Sequence, residues 1–290
     1  MIWGSDYAFP ISYHRAMLED TQRIELYKKA IESTVQDKVV IDVGAGTGIL
    51  SLYAVQAGAK KIYALEKDFE TYNFIHGLVQ KSTIVGKTIE FINTSSFDFS
   101  IEPFDIPQVL ISELIGAVGP EEGIVEAFFD LKTKNPSLAS FIPHTIDICC
   151  DIFYSDFVEN EFQNNYTIYS RNLPYFKNEE TLFGDMYAQK FLFHNFMEET
   201  AVSDQQILKT YSLGIDQISD FKVEIKVPEH ANTIAVFFKA YLDVNNTVTL
   251  TNCPGSSLHW LTPYLRKPYK KERVTIEYRS KNKFFFVHWD

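Results

Sequence analysis

The spacing of apolar and polar residues divides the chain into two parts. Up to about residue 140, short continuous apolar runs alternate with stretches whose apolar residues recur at helical spacing. Continuous runs suit strands that are buried on both faces of a parallel sheet. This alternation predicts an α/β fold with helices on both faces of the sheet. Strands are predicted at 39–43, 62–65, 87–92 and 108–112, and helices at 13–36, 49–57, 69–84 and 121–138.

Beyond Pro143 the pattern changes to the period of two that is typical of half-buried strands. Runs such as TIDICCDIF, TIAVFFKAYLDV and RVTIEYRS are separated by turn residues such as Asn245-Asn246. They predict antiparallel β structure, either a sandwich or a barrel. We therefore expect two domains, 1–143 and 144–290. Residues 176–210 have less β character, and FGDMYAQKFLFHNFMEE within them favours a helical excursion.

Residues 38–66 form the most informative unit, which reads as strand, glycine-rich turn, helix, strand and acid. Gly44, Gly46 and Gly48 let the backbone turn sharply and leave room for a ligand to approach. The following helix offers unpaired N–H groups at its start. Glu66, about 20 residues past the turn, can accept hydrogen bonds from two ribose hydroxyls. The unit predicts a nucleotide-type site; a tight turn without a ligand would leave Glu66 at the strand end unexplained.

Charge and cysteine content narrow the classes of partner. The chain has 27 basic and 38 acidic residues, a formal net charge of −11. This balance disfavours nucleic acid and anionic membranes and favours a cationic partner. The three cysteines show no metal-ligand spacing with histidine, so we expect no metal and a reduced, cytoplasmic setting. No apolar run approaches the ~20 residues of a membrane helix, and no signal segment is evident.

Two glutamates flank a glycine-containing loop after the fourth predicted strand. Glu113 ends that strand, and Glu122 follows Gly116 and Gly119. Two carboxylates held together repel each other unless a cation lies between them, and a planar guanidinium fits that position. Glu121 is a competing candidate for the second acid. Taken alone, acids near a helix start are more often stabilised by the helix dipole.

Four segments resemble one family, the protein arginine N-methyltransferases. They are YHRAMLEDTQR, the glycine-rich unit IDVGAGTGILSLYAVQAGAKKIYALE, SELIG together with Glu122, and LHW at 258–260. The resemblance implies an α/β Rossmann-like domain that binds S-adenosylmethionine (SAM), followed by an antiparallel β-barrel domain. It also implies a homodimer, with the dimerisation arm at about 176–210.

The resemblance further implies roles for individual residues. Glu113 and Glu122 would hold the substrate guanidinium, and Asp20 and His259 would form a hydrogen-bonded pair behind it. These four would be the catalytic residues, and Trp260 would contact the substrate. Arg23 would bind the methionine carboxylate of SAM, and Glu66 the ribose. The full cofactor set would be Met17, Arg23, Asp42, Gly44, Gly46, Gly48, Glu66, Lys67, Ser96 and Phe97.

Some positions depart from the family pattern. Leu114 stands where a tryptophan is common, Leu258 replaces a threonine, and the usual pair of N-terminal tyrosines is absent. Phe97 replaces an acid often found at the adenine. The expected activity is methyl transfer from SAM to an arginine of a protein or peptide, with S-adenosylhomocysteine (SAH) as product. The alternatives are a SAM methyltransferase of a small-molecule amine or another nucleophile, and a catalytically inactive scaffold with a SAM fold.

Overall fold

The computed structural model describes residues 11–79, 85–173, 180–188, 192–194, 201–256 and 260–290. Its helices are α1 (Ile11–Glu19), α2 (Thr21–Glu32), α3 (Ile49–Gln56), α4 (Phe69–Val79), α5 (Val85–Thr88), α6 (Ile124–Lys134), α7 (Asp156–Asn172) and α8 (Glu180–Tyr187), and a 3-10 helix covers Pro120–Glu122. Its strands are β1 (Val39–Val43), β2 (Lys61–Glu66), β3 (Ile89–Asn93), β4 (Pro107–Ser112), β5 (Ser140–Ile142), β6 (Thr145–Phe153), β7 (Leu192–His194), β8 (Gln206–Ser212), β9 (Phe221–Lys226), β10 (Thr233–Tyr241), β11 (Thr249–Thr251), β12 (Thr262–Arg266), β13 (Arg273–Arg279) and β14 (Phe284–Trp289).

The chain forms two compact units, each assembled from several stretches of the sequence. The first unit comprises Met1–Ile146, Thr210–Ile218 and Lys239–Thr251, and the second comprises Asp147–Lys209, Ser219–Phe238 and Asn252–Asp290. Two segments from the later part of the sequence thus belong to the first unit.

The first unit is built on a five-stranded sheet in the order β3-β2-β1-β4-β5. Neighbouring strands run parallel along the whole sheet. Every residue of β1 is buried, which agrees with the continuous apolar run VVIDV and with a strand that is covered on both faces. The α/β part of the predicted fold class is therefore confirmed.

The strand order reverses between β1 and β4. Strands β2 and β3 lie on one side of β1, whereas β4 and β5 lie on the other. In open α/β sheets, ligands bind at such a reversal, in the crevice outside the carboxyl ends of the strands. The glycine-rich turn follows β1 and Glu113 follows β4, so this topology brings both predicted features to the same end of neighbouring strands.

Two helix predictions need correction. The helix predicted at 13–36 is divided into α1 and α2 at Asp20, whose side chain accepts a hydrogen bond from the backbone N–H of Arg23 and caps α2. The helix predicted at 121–138 begins as the 3-10 helix and ends at Lys134. Gly123 lies between them in the left-handed conformation, at φ 94°, which interrupts regular helix geometry.

The antiparallel part of the fold class is also confirmed. One sheet has the order β7-β12-β10-β6-β8, with β11 paired to β10, and a second sheet has the order β14-β13-β9. The pairs of β13 with β9 and β14 and of β12 with β7 and β10 are antiparallel. No helix among the described residues is long and apolar enough to cross a membrane.

The 17-residue helix α7 was not predicted from the sequence. Ser155 caps its first turn by accepting a hydrogen bond from Val158 N–H at 3.1 Å. Arg266 holds its buried side through hydrogen bonds to Glu159 at 2.9–3.0 Å, and its guanidinium lies over the Phe162 ring. Only Val158 and Phe162 of α7 are buried, so its apolar periodicity is too sparse to predict a helix.

An irregularity where β1 meets β4 provides a test of the sheet. The register shifts between Val39 and Val40, so that Val39 opposes Pro107 and Val40 opposes Val109. The side-chain oxygen of the skipped residue, Gln108, accepts the Val39 N–H at 2.8 Å. The glutamine thus replaces a backbone hydrogen bond that the bulge removes.

We expect Gln108→Ala to lower the free energy of unfolding by about 1 kcal/mol, because the Val39 N–H would lose its acceptor. Gln108→Glu retains an acceptor oxygen and should remain within about 0.5 kcal/mol of the wild type. Urea denaturation of the three proteins measures the difference. Equal stability of the alanine variant and the wild type would contradict this account of the bulge.

Candidate active site

Three glycines shape the turn between β1 and α3. Gly44, Gly46 and Gly48 have φ values of 67°, 53° and 73°, a region that residues with a Cβ rarely adopt. The Gly46 N–H donates to the Glu66 carboxylate at 2.9 Å. The turn is therefore tied to the end of β2, as the strand–turn–helix–strand–acid pattern implied.

Gly44, which follows β1, also lies close to Leu114, which follows Glu113 beyond the end of β4. A Cβ on Gly44 would lie 2.6 Å from a terminal carbon of Leu114. The Ser112 hydroxyl strengthens this junction, since it donates to the Val43 carbonyl at 2.7 Å and accepts the Leu114 N–H at 3.2 Å. The residue that stands in place of the family's usual tryptophan thus packs against the glycine turn.

Glu66 is held by backbone groups on both sides. Its two oxygens accept the N–H groups of Gly46 at 2.9 Å and of Asp68 at 2.8 Å. A carboxylate has about four lone-pair sites, so each oxygen retains capacity for a ligand hydroxyl. The Asn93 amide donates to the backbone carbonyls of Glu66 and Lys67 and thereby fixes the end of β2. The Lys67 side chain is exposed.

Asp42 is a fully buried acid in the middle of the apolar strand β1. Burial raises the pKa of its carboxyl to about 7; the Ser51 hydrogen bond opposes this rise and the charge of Glu66 adds to it. Ser51 donates to Oδ2 at 2.6 Å, whereas Oδ1 has no hydrogen-bond partner within the described part of the chain. A buried acceptor left open beside a glycine-rich turn fits a ligand that carries a hydroxyl or ammonium donor.

The turn after β3 contains two of the predicted cofactor residues, Ser96 and Phe97. Ser96 is buried and the Phe97 side chain is 52 % exposed. Lys134 at the end of α6 donates to the Phe97 carbonyl at 2.5 Å, and the Ser95 hydroxyl accepts the Phe97 N–H at 3.3 Å. The backbone of this turn is therefore fixed from α6, while the Phe97 ring remains accessible.

A buried ion pair joins α2 to the end of β4. A guanidinium nitrogen of Arg23 lies 2.6 Å from a carboxylate oxygen of Glu113, and both side chains are nearly inaccessible to solvent. A second nitrogen of Arg23 donates to the Met17 carbonyl at 3.0 Å. Burial alone would lower the pKa of Arg23, but the charge and hydrogen bond of Glu113 outweigh it and hold that pKa above its ordinary value.

The loop after Glu113 folds back through two hydrogen bonds between Gly116 and Gly119, at 3.0 and 3.2 Å. Glu121 turns inward and accepts the Val118 N–H at 2.8 Å. Glu122 ends the 3-10 helix with a half-buried side chain. Glu121 and Glu122 are the two candidates for the second acid. The carboxylate of Glu121 therefore already accepts a hydrogen bond from the backbone of the loop.

The other predicted residues are Met17, Asp20, His259 and Trp260, and the structure describes all of them except His259. Met17 is half-buried in α1, and Asp20 is buried at the cap of α2. His259 lies outside the described residues, so its pairing with Asp20 stays a prediction. The buried Trp260 ring packs edge-on against Phe238 at 5.0 Å, and its contact with a substrate also stays a prediction.

Sequence reasoning did not identify Ser51, Asn93, Ser112 and Lys134, which support the site through the hydrogen bonds described above. The positions of Ser112 and Asn93 carried some signal, because both residues end strands of the parallel sheet. The positions of Ser51 and Lys134, within helices, carried none.

Comparisons with known proteins find methyltransferases. Residues 22–73 match the family described as ribosomal protein L11 methyltransferase (PrmA). Protein arginine N-methyltransferase 6 of Xenopus tropicalis is 27 % identical over 293 residues, 92 % of this chain and 80 % of that protein. Histone-arginine methyltransferases CARMER of three mosquitoes are 36 % identical over 124 residues, 41 % of this chain but only 19–20 % of theirs.

Solved structures show the same fold over nearly the whole chain. Protein arginine methyltransferase 10 of Arabidopsis thaliana has a TM-score of 0.76 at 17 % identity and covers 95 % of this chain and 97 % of its own. A PRMT6 structure with SAH has a TM-score of 0.69 at 18 % identity and covers 97 % and 99 %. These structures support the fold. The sequence similarity to protein arginine N-methyltransferases confirms the resemblance inferred from the motifs.

Asp42 should give the protein a specific pH dependence. Its pKa is raised on folding, so the folded state binds the proton more tightly than the unfolded chain does. The Asp42 contribution to stability is complete below about pH 4 and is lost as the pH rises to about 7. Asp42→Asn removes this titration while its amide oxygen can still accept from Ser51.

We therefore expect the free energy of unfolding of wild type relative to Asp42→Asn to decrease between about pH 4 and pH 7 and then to level off. Each tenfold difference in proton affinity between the folded and unfolded states corresponds to about 1.4 kcal/mol. Urea denaturation of both proteins at several pH values measures the difference in their free energies of unfolding. A difference between the two proteins that does not change with pH would contradict the raised pKa.

Proposed function

We propose that this chain, a relative of the protein arginine N-methyltransferases, transfers a methyl group from SAM to a guanidinium nitrogen of an arginine in a protein or peptide. The observation that carries the proposal is the buried Glu113 carboxylate, which follows β4 beside the glycine turn and already binds a guanidinium, that of Arg23, at 2.6 Å. A carboxylate has about four lone-pair sites, so Glu113 keeps acceptor capacity for the guanidinium of an arginine substrate beside the contact with Arg23.

The cofactor is SAM, which supplies an electrophilic methyl group on its sulfonium when bound. Several features fit this ligand: the left-handed glycines, the open Asp42 oxygen and the remaining capacity of Glu66. Glu66 would accept the ribose hydroxyls, and Arg23 would offer its positive charge to the methionine carboxylate. Met17, Lys67, Ser96 and Phe97 would complete the set around the glycine turn. SAH is the product, and SAH accompanies a solved structure that shares this fold.

Glu113 and Glu122 prepare the substrate for transfer. A guanidinium is cationic and delocalised, so its nitrogens are poor nucleophiles. Carboxylates that bind its other nitrogens draw positive charge toward themselves and increase the electron density on the nitrogen that reacts. They also neutralise the substrate while positive charge moves onto it, which is preorganised electrostatic stabilisation.

The rest of the reaction depends on position and proton transfer. The loop between the two glutamates orients the substrate nitrogen in line with the bond that breaks, and such positioning contributes much of the acceleration of a displacement. The nitrogen loses a proton during or after transfer, and the proposed acceptor is the Asp20–His259 pair. Trp260 is assigned to the substrate side.

The biological setting is part of the same proposal. The protein works as a homodimer in a reducing cytoplasm, without nucleic acid or membrane partners. The negative net charge and the buried, reduced thiols of Cys149 and Cys150 support this setting. The direct test is mass spectrometry of arginine-containing peptides incubated with the protein and SAM. A methyl-group increase in mass on arginine is expected, and lysine-only peptides are the control.

Glu113→Gln should separate catalysis from cofactor binding. The amide can still accept a hydrogen bond from Arg23, but the substitution removes the negative charge that would face the guanidinium of the substrate. We expect kcat to decrease by about 10²–10³-fold, in line with the loss of one preorganised electrostatic group. The Kd for SAH, measured by calorimetry, should stay within about threefold of wild type, because the amide oxygen still holds Arg23 in place and the carboxylate of SAH offsets the charge of that guanidinium.

Glu102→Gln, at an exposed glutamate of the same unit, is the matched control and should retain wild-type turnover. Methylation at the wild-type rate by Glu113→Gln would refute the role of Glu113. Failure of the variant to bind SAH would show instead that the charge serves the cofactor.

A further inference from the structure

We infer that Glu121 is a positioning residue: its carboxylate forms the inner support of the loop that carries Glu122, so that these adjacent glutamates have different functions. This inference rests on the proposed function for its consequences in turnover. Its structural part concerns the loop from Glu113 to Gly123 alone.

The first observation is a hydrogen bond across the loop. Oε1 of Glu121 accepts the Val118 N–H at 2.8 Å. Val118 lies between Gly116 and Gly119, which exchange two backbone hydrogen bonds at 3.0 and 3.2 Å. The carboxylate therefore satisfies a donor that points into the turn and links the 3-10 helix to the loop that precedes it.

The second observation is a steric requirement at Gly116. A Cβ at this position would lie 2.6 Å from Oε2 of Glu121 and 3.1 Å from its Cβ. The backbone of Gly116 does not have a positive φ, so its conformation alone does not demand glycine. Gly116 is needed because the Glu121 side chain occupies the space where a side chain would stand.

The third observation is that the loop is anchored on both sides of this contact. Ile115 and Val118 are almost completely buried, and Pro120 is buried at the start of the 3-10 helix. With these anchors fixed, the Glu121 carboxylate sets the distance between the Gly116 turn and the 3-10 helix. That distance determines where Glu122, the next residue, directs its carboxylate. The arrangement predicts that Glu121 acts through its acceptor oxygen and its size, whereas Glu122 acts through its charge.

Substitutions at the two glutamates distinguish these roles. Glu121→Gln keeps the acceptor oxygen and should retain kcat within about threefold of wild type. Glu121→Ala removes the support and should lower kcat at least tenfold, with the Kd for SAH unchanged within about twofold. Glu122→Gln should lower kcat strongly although it is equally conservative. A Glu121→Gln variant as slow as Glu121→Ala would overturn the inference, because the charge of Glu121 would then be what matters.

A double substitution tests the contact with Gly116 directly. Gly116→Ala should lower kcat severalfold and reduce thermal stability in the presence of Glu121, since the new methyl group displaces the carboxylate. In the Glu121→Ala background the same change should add little, because the space is vacant. Gly77→Ala is the control, as a Cβ there would meet nothing within 4 Å. Additive effects of Gly116→Ala and Glu121→Ala would contradict the contact.

Amide hydrogen exchange keeps the test independent of enzymatic activity. Peptides covering 114–123 should exchange at least tenfold faster in Glu121→Ala than in wild type or Glu121→Gln, while peptides covering β1 stay unchanged. Equal exchange in all three proteins would overturn the supporting role. If the wild type methylates no arginine peptide, the proposed function fails, and the exchange result still decides whether Glu121 holds the loop.

Discussion

The buried ion pair between Arg23 and Glu113 is the interaction on which the candidate site depends. Charged groups lose hydration when they are buried, and a close, hydrogen-bonded partner is needed to offset that loss. Arg23 meets this need through Glu113 and the Met17 carbonyl. The pair joins α2, which precedes the sheet in sequence, to the end of β4, where Glu113 is predicted to hold the substrate. Removal of either partner would leave a buried charge, so helix and strand end hold each other in place.

Three acids lie at or near the carboxyl ends of neighbouring strands, and each is accommodated differently. Asp42 is fully buried, and its raised pKa favours the neutral form. Glu66 accepts two backbone N–H groups. Glu113 binds a guanidinium. Because protonation, backbone donors and a cation each reduce the repulsion among carboxylates, the crevice can concentrate acidic groups in a chain whose net charge is already −11.

The features that could be predicted from sequence are those fixed by local rules. The run VVIDV requires a doubly covered strand, three alternate glycines require a left-handed turn, and Glu66 follows from its place at the next strand end. The prediction was less complete where distant residues decide. Arg23 and Glu113 are 90 positions apart, and the Lys134 contact with the Phe97 carbonyl spans 37. Helix α7 also depends on a distant residue, Arg266, because its own apolar pattern is weak.

The packing of Leu114 on Gly44 explains why the glycine turn and the glutamate loop cannot be considered separately. Leu114 follows Glu113 directly, and its terminal carbons fill the space that a Cβ on Gly44 would occupy. A displacement of the turn by a ligand would therefore press on Leu114 and shift the strand end that carries Glu113. Ser112 limits this movement, because its hydroxyl bridges the Val43 carbonyl and the Leu114 N–H. One contact between the residues that follow β1 and β4 thus couples the glycine turn to the strand end that carries Glu113, and it follows from the absence of a side chain at a single residue.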